Sequence, residues 1–196
     1  MKSLTAERRA DERIVLGVFD ALLARRGEPI RYAMMTDTPV GQLGLALGPG
    51  GLCRLDYSSD EDRFLAGLLG AFGDRPLIRQ RAALDGVMRQ LDRYFSGRSL
   101  TFDLPVDLSP VSGFAKRVLL AATRIPPGRV LSYAEIAGKA GNPKASRAAG
   151  NALHHNPVAI VVPCHRIVRT GGSLGGYGGG VENKRWLLRH ERAGSW

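Results

Sequence analysis

Apolar runs long enough to cross a membrane, about 18 uncharged residues, are missing from this sequence. Cysteine is scarce too. Cys53 and Cys164 are the only two, far apart and in no C-x-x-C or Cys/His ligand spacing, which excludes a disulfide framework and a cysteine-rich zinc site. No signal peptide is legible at the N-terminus. These absences lead us to expect a reduced, cytoplasmic protein that is not in the membrane. A third shortage is local. Residues 111–196 hold only three acids, Glu135, Glu182 and Glu191, against 13 Lys and Arg, whereas residues 1–110 hold 15 of each sign. The whole net charge of +10 therefore belongs to the C-terminal part. Such asymmetry fits a surface that meets phosphates, or a basic solvated face with no partner.

The remaining sequence reads as α/β in the α+β sense, with two small domains. Val15, Val18, Phe19, Leu22 and Leu23 recur at helical spacing within residues 5–26. "TPVGQLGLALGPGGLCRLDYS" predicts two strands around a turn at residues 48–51, with a third strand near residues 31–36 and helices over residues 61–72 and 82–95. The polar, proline-bearing "SGRSLTFDLPVDLSPVSG" reads as a linker. We place the domain boundary inside it, giving a helical extension at 1–30, an α/β domain at 31–108 and a C-terminal domain at 109–196.

After the linker, "FAKRVLLAATRI" predicts a helix. Ser132 followed three residues later by Glu135 is a capping box, so a short helix starts at Tyr133. Gly141 ends it, and Asn142 with Pro143 is read as the cap of a second helix, "KASRAAGNALHH". The pair is a helix-turn-helix candidate. At 100° per residue the second helix puts Ala148, Ala149, Ala152 and Leu153 on one face and Arg147, Gly150, Asn151 and His154 on the other. The second face suits close approach to a groove, with Arg147 as its one long probe. Its alternative is small residues that let two helices pack.

The chemistry centres on "VAIVVPCHRIV". A buried strand is expected to run into Pro163 and stop, because proline cannot donate to a sheet ladder. Cys164 would then turn out of the strand beside His165, Arg166 and Arg169, cations that favour thiolate. An inert core cysteine is the alternative. Neighbouring side chains on extended chain diverge, which argues for a water relay and a carboxylate in place of direct Cys–His contact. Glu191 is the nearest candidate, although a solvated last-turn residue is its default. Both a cysteine hydrolase and a one-way alkyl acceptor would use these parts. "GGSLGGYGGG" lacks the G-K-[ST] ending of a phosphate-binding loop and reads as a tight loop with exposed amides around Tyr177.

Together these motifs resemble the O6-alkylguanine-DNA alkyltransferases. "IVVPCHRIV" looks like that family's acceptor motif, with "SYAEIA", "SRAAGNAL", "NP" and "GGYGGG" at matching distances and weaker similarity in "TPVGQLGLA" and "LDRYFSGRSLTFDLPVDL". The resemblance implies a ribonuclease-H-like N-terminal domain and a winged-helix-like C-terminal one. It implies that Cys164 accepts the alkyl group irreversibly, once per molecule, after deprotonation by His165 through a water and Glu191. Tyr133 would donate to the leaving guanine and rotate its phosphate, Arg147 would replace the flipped base, and Asn156 would order the turn. Gly150, Asn151 and His154 would face the minor groove of double-stranded DNA. Leu153, the carbonyl of Val162 and the amides of Tyr177, Gly178 and Gly179 would hold the base. No cofactor or metal is implied, and a monomer is expected, with clustering on DNA and action on O4-alkylthymine left open.

Three positions depart from the family pattern. Ala115 and Leu119 stand where Gln and Trp are usual, and Pro127 where an aromatic is frequent. A non-catalytic alkyl-DNA sensor would lack the acceptor that Cys164 supplies, and a helix-turn-helix regulator would have no need of the Pro-Cys-His-Arg turn.

Overall fold

The computed structural model describes residues 27–194, so the helix expected over residues 5–26 lies outside the described residues. Strands β1 (Ile30–Met35), β2 (Leu43–Gly48) and β3 (Gly51–Tyr57) form an antiparallel meander. Gly51, at φ 118°, takes the backbone conformation that only glycine adopts readily, and it closes the expected turn. A three-residue strand, β4 (Leu77–Arg79), adds parallel to β1, so the sheet is mixed, in the order β3-β2-β1-β4. So short a strand carries no period for the sequence to show.

Alternation along the strands sends residues to two cores. Ala33, Leu45, Leu52 and Leu55 join the large core that includes Leu84, Val87, Met88 and Leu91 of helix α2 (Arg81–Phe95). Tyr32, Ala46 and Cys53 meet Phe64 and Leu68 of helix α1 (Glu61–Phe72) on the other face. Asp60 caps α1 by accepting from the Arg63 amide at 2.7 Å.

The C-terminal part comprises α3 (Gly113–Ala122), β5 (Leu131–Ser132), α4 (Tyr133–Lys139), α5 (Ser146–His154), β6 (Ile167–Val168) and α6 (Val181–His190), with β5 parallel to β6. The capping box forms: Ser132 Oγ accepts from the Glu135 amide, and Glu135 accepts from the Ser132 amide. The next helix corrects the sequence reading. Asn142 accepts from the Lys144 amide at 3.2 Å in a local turn, so α5 starts at Ser146 without a side-chain cap. Ala148 is exposed, and the buried face is Ala149, Ala152 and Leu153.

A bare β3 edge would invite pairing with another chain. Here the linker covers its beginning: the Leu52 amide donates to Pro105, and the Asp107 amide donates back to Leu52, both at 2.9 Å. Residues 157–159 cover its middle, the Leu55 amide donating to Pro157 at 2.9 Å and the Ala159 amide to Leu55 at 3.0 Å. The sheet of one half thereby fixes the turn that carries Cys164 in the other.

Candidate active site

The expected buried strand over residues 158–162 is not formed. Only Val158 makes a bridge, to Leu55, and the chain then folds back on itself twice. The Val161 amide donates to Ala159 at 2.8 Å around Ile160, whose φ is 70°, a strained position for a β-branched residue. The Cys164 amide donates to Val162 at 2.8 Å around Pro163, whose φ −81° and ψ 62° fit an inverse γ-turn. A single 3₁₀ turn, Cys164–Arg166, follows. Proline is therefore not ending a strand; it is shaping the second of two tight turns that set Cys164 at a surface cavity.

Asn156 braces these turns. Its Oδ1 accepts from the Val158 amide at 3.1 Å, and its Nδ2 lies 2.8 Å from the Val162 carbonyl and 3.1 Å from Cys164 Sγ. Cys164 is 7% exposed. Burial pushes its pKa up, opposed by the Asn156 hydrogen bond and the charge of Lys184. This corrects the local-cation argument. Arg166 turns away, giving Nε and Nη2 to Glu191 at 2.7 and 2.8 Å and Nη1 to the Ile125 carbonyl. Arg169 is exposed. The cation acting on the thiol is Lys184, buried in α6 with its Nζ on the carbonyls of Ile167 and Leu174 and brought down to about 8, mainly by burial.

His165 is fully buried. Its Nε2 lies 3.0 Å from Glu191 Oε1, and burial holds its pKa below the ordinary value. Glu191 is buried too, against its default reading as solvated. Burial alone would raise its pKa, but the hydrogen bonds and charges of His165 and Arg166 outweigh that and hold it at about 2. An ionised Glu191 keeps the imidazole proton on Nε2. Nδ1, which has no hydrogen-bond partner among the described residues, is left as the basic nitrogen. Tyr94 of α2 donates to the same Glu191 Oε1 at 2.7 Å. The sequence reading did not single out Tyr94 or Lys184. A signal existed for Lys184: with Leu187, Leu188 and Glu191 it repeats at i, i+3, i+4 and i+7, placing two charges on the buried stripe of a helix.

A cavity of about 170 Å³ opens at Cys164, lined by Tyr133, Gly150, Leu153, His154, Gly176, Tyr177 and Gly178. Drug-sized pockets begin at roughly 300 Å³, so this one suits a single planar base. Gly150 and Gly175 fit around Tyr133: a Cβ on Gly150 would lie 3.6 Å from its ring, and one on Gly175 3.0 Å from its hydroxyl. Burial raises the Tyr133 pKa, leaving a neutral donor. Two expected base-holding residues fall outside the lining. The Val162 carbonyl is already taken by Asn156 and the Cys164 amide, and Gly179 packs against Tyr57. Arg147, Asn151 and His154 are exposed along one face of α5, with Gly150 half-buried between them.

Comparison with known proteins adds the decisive observation. Residues 30–108 match the profile of the 6-O-methylguanine DNA methyltransferase ribonuclease-like domain, and residues 113–193 match that of the DNA binding domain. The chain belongs to the methylated-DNA–protein-cysteine methyltransferase family. A family member from Methanosarcina barkeri is 36% identical over 161 residues, covering 82% of this chain and 96% of the relative. One from Mycobacterium tuberculosis H37Rv is 47% identical over 111 residues, 57% of this chain and 67% of the relative. Among solved structures, the M. tuberculosis O6-methylguanine methyltransferase superposes with a TM-score of 0.69 at 38% identity, covering 84% of this chain and 93% of that one. M. tuberculosis OGT in complex with DNA gives 0.68 at 37% identity, covering 84% and 92%.

Proposed function

We propose that this chain reverses O6-alkylguanine damage in DNA by moving the alkyl group onto Cys164, in a C-terminal domain (109–196) backed by an N-terminal one (31–108). The observation that carries the proposal is the cavity of single-base size that ends on a buried thiol, with a neutral imidazole, an ionised carboxylate and an arginine aligned behind it. The thiol is protonated at rest, because burial raises its pKa. His165 Nδ1 takes that proton by way of one water, and Glu191 stabilises the imidazolium that results. Sulfur then attacks the alkyl carbon in line, the new S–C bond forming as the C–O bond breaks. The electron pair leaves on guanine O6, where Tyr133 donates a proton or hydrogen bond.

The product is a thioether with no good leaving group, so each molecule acts once. The target carbon lies inside a duplex, and the base must be flipped to reach the cavity. Arg147 fills the gap it leaves. The exposed face of α5, with Arg147 its one long side chain among Gly150, Asn151 and His154, enters the minor groove, whose degenerate pattern suits a sequence-tolerant reader. In this reading the chain binds DNA as a monomer. The deciding experiment is intact mass and peptide mapping after incubation with a methylguanine duplex. One net CH₂ on the Cys164 peptide, with no turnover beyond one equivalent, is expected. Repeated turnover without mass gain would favour a hydrolase instead.

A further inference from the structure

The wall of the cavity opposite α5 is the glycine-rich loop, and two groups beyond the lining hold it, joined by a third tie from Asn183. Lys184 takes the Leu174 carbonyl from below. The other group comes from the N-terminal sheet. Tyr57, the last residue of β3, lies with its hydroxyl 2.9 Å from that of Tyr177, a lining residue of the cavity. The two rings meet edge to face at 5.7 Å between centroids. The Tyr57 ring also occupies the space of a side chain at Gly179, where a Cβ would fall 2.4 Å from the ring. A further tie runs beside it: Asn183 Nδ2 lies 2.9 Å from both the Gly179 carbonyl and the Val40 carbonyl of the N-terminal part.

We infer that Tyr57 is a positioning residue for the alkylated base, holding the Tyr177 wall at the separation that one flipped purine requires. This rests on the cavity being the base site and Cys164 the acceptor. The loop has few anchors of its own: between β6 and α6 the described backbone makes only short turn bonds, such as Gly172 to Arg169 at 2.9 Å and Gly180 to Tyr177 at 3.0 Å. A glycine-rich segment loses much entropy on ordering, so an outside brace changes how often the wall stands closed. The Tyr57 hydroxyl touches neither Cys164 nor the His165–Glu191 pair by any hydrogen bond described. Its loss therefore weakens capture of the base and spares the chemical step.

The test uses the full chain as wild type, Tyr57→Phe, Tyr177→Phe and the double variant, with a duplex carrying one O6-methylguanine. Removing one half-buried hydroxyl contact should raise the half-saturating duplex concentration about fivefold. For Tyr57→Phe the maximal single-turnover rate should stay within about twofold, and affinity for unmodified duplex should not move. Because both single changes break the same contact, the double variant should be no worse than either. Additive losses, unchanged saturation, or an equal fall in maximal rate would overturn the role of Tyr57. Absence of transfer by the wild type would overturn the alkyl-transfer reading itself, a different result from transfer that ignores these tyrosines.

Discussion

Each half of the molecule buries one cysteine, and the two surroundings differ in what lies next to the sulfur. Cys53 is 2% exposed in the sheet, its thiol on the Ala46 carbonyl at 3.3 Å, and burial pushes its pKa up to about 11. Cys164 is 7% exposed and burial raises its pKa as well. Neither is a ready thiolate, so low pKa at rest is not what separates them. The difference is a cavity at Cys164, an amide donor at 3.1 Å, and a neutral imidazole in the next residue with one nitrogen left basic. On the proposed function, reactivity at Cys164 is a property of the turn and its backing.

Exchanging the cysteines gives the largest expected effect. Cys164→Ser should lower alkyl transfer by more than about a thousandfold, because a hydroxyl is a far weaker nucleophile with the same base behind it. Cys53→Ser should leave the rate within about threefold and cost on the order of 1–2 kcal/mol of stability for the buried hydroxyl. Stoichiometry from intact mass and a urea melt read both. A Cys53 variant that lost transfer while remaining folded would erase the distinction between the halves.

The next effect is on the backing itself. Arg166→Ala leaves Glu191 buried without its two guanidinium donors, and losing one partner of such a pair costs about 3–5 kcal/mol. The pH dependence follows from Glu191. Its folded value of about 2 lies below the ordinary 4.5, so its contribution is complete above pH 4.5 and is lost as pH falls toward 2. About 3 kcal/mol is linked to that window. Burial also holds His165 below its ordinary 6.5, so its loss of stability begins on the same side, as pH falls below 6.5. Denaturant melts from pH 7 to 2 should show the decline, and Glu191→Gln should remove its lower step. A flat profile would mean that the carboxylate is not ionised in the folded protein.

What the sequence disclosed, and what it hid, follows from the range of each signal. Ser132 and Glu135 act over three residues, so the start of α4 was legible. The Gly-rich turn at residues 48–51 was legible for the same reason. The run at residues 158–162 misled because β-branched residues favour strands only where a partner strand exists, and here the partner, Leu55, accepts one bridge before Ile160 reverses the chain. The α5 start misled because Asn142 satisfies a turn instead of a helix. The site residues named near Cys164 were local in sequence. Tyr94, 97 positions from Glu191, left no such trace, since nothing in a helix stripe of apolar residues says what its hydroxyl meets.

The charge contrast between the halves predicts a moderate effect. Affinity for unmodified duplex should fall about tenfold or more from 50 to 200 mM salt if a handful of phosphates are neutralised. Arg147→Ala should slow transfer from duplex by about tenfold to a hundredfold, since an unfilled gap leaves base flipping unsupported. Transfer from the free modified base should change little. Arg147→Lys should recover only part, because an ammonium lacks the planar face of a guanidinium. Equal loss on duplex and free base would move Arg147 from the DNA face to the support of α5.

The smallest expected effect is the one that blurs the contrast, because Tyr94 brings the N-terminal helix α2 into the relay. Its hydroxyl donates to Glu191 Oε1, the oxygen that also holds His165 Nε2. Removing that donor in Tyr94→Phe concentrates the carboxylate charge on the imidazole and favours the imidazolium. The His165 pKa, held down by burial, should therefore rise toward its ordinary value. Since the proposed base is the neutral ring, the acid limb of the single-turnover rate should move to higher pH by a fraction of a unit. The rate at pH 8 should then stay within about threefold, and the rate at pH 6 should fall further, by an amount consistent with one lost hydrogen bond to a charged group. Rates measured across pH 5 to 9 on the full chain decide it. A uniform loss at every pH would reduce Tyr94 to packing, whereas a shifted acid limb would make the N-terminal half part of the chemistry it otherwise only frames.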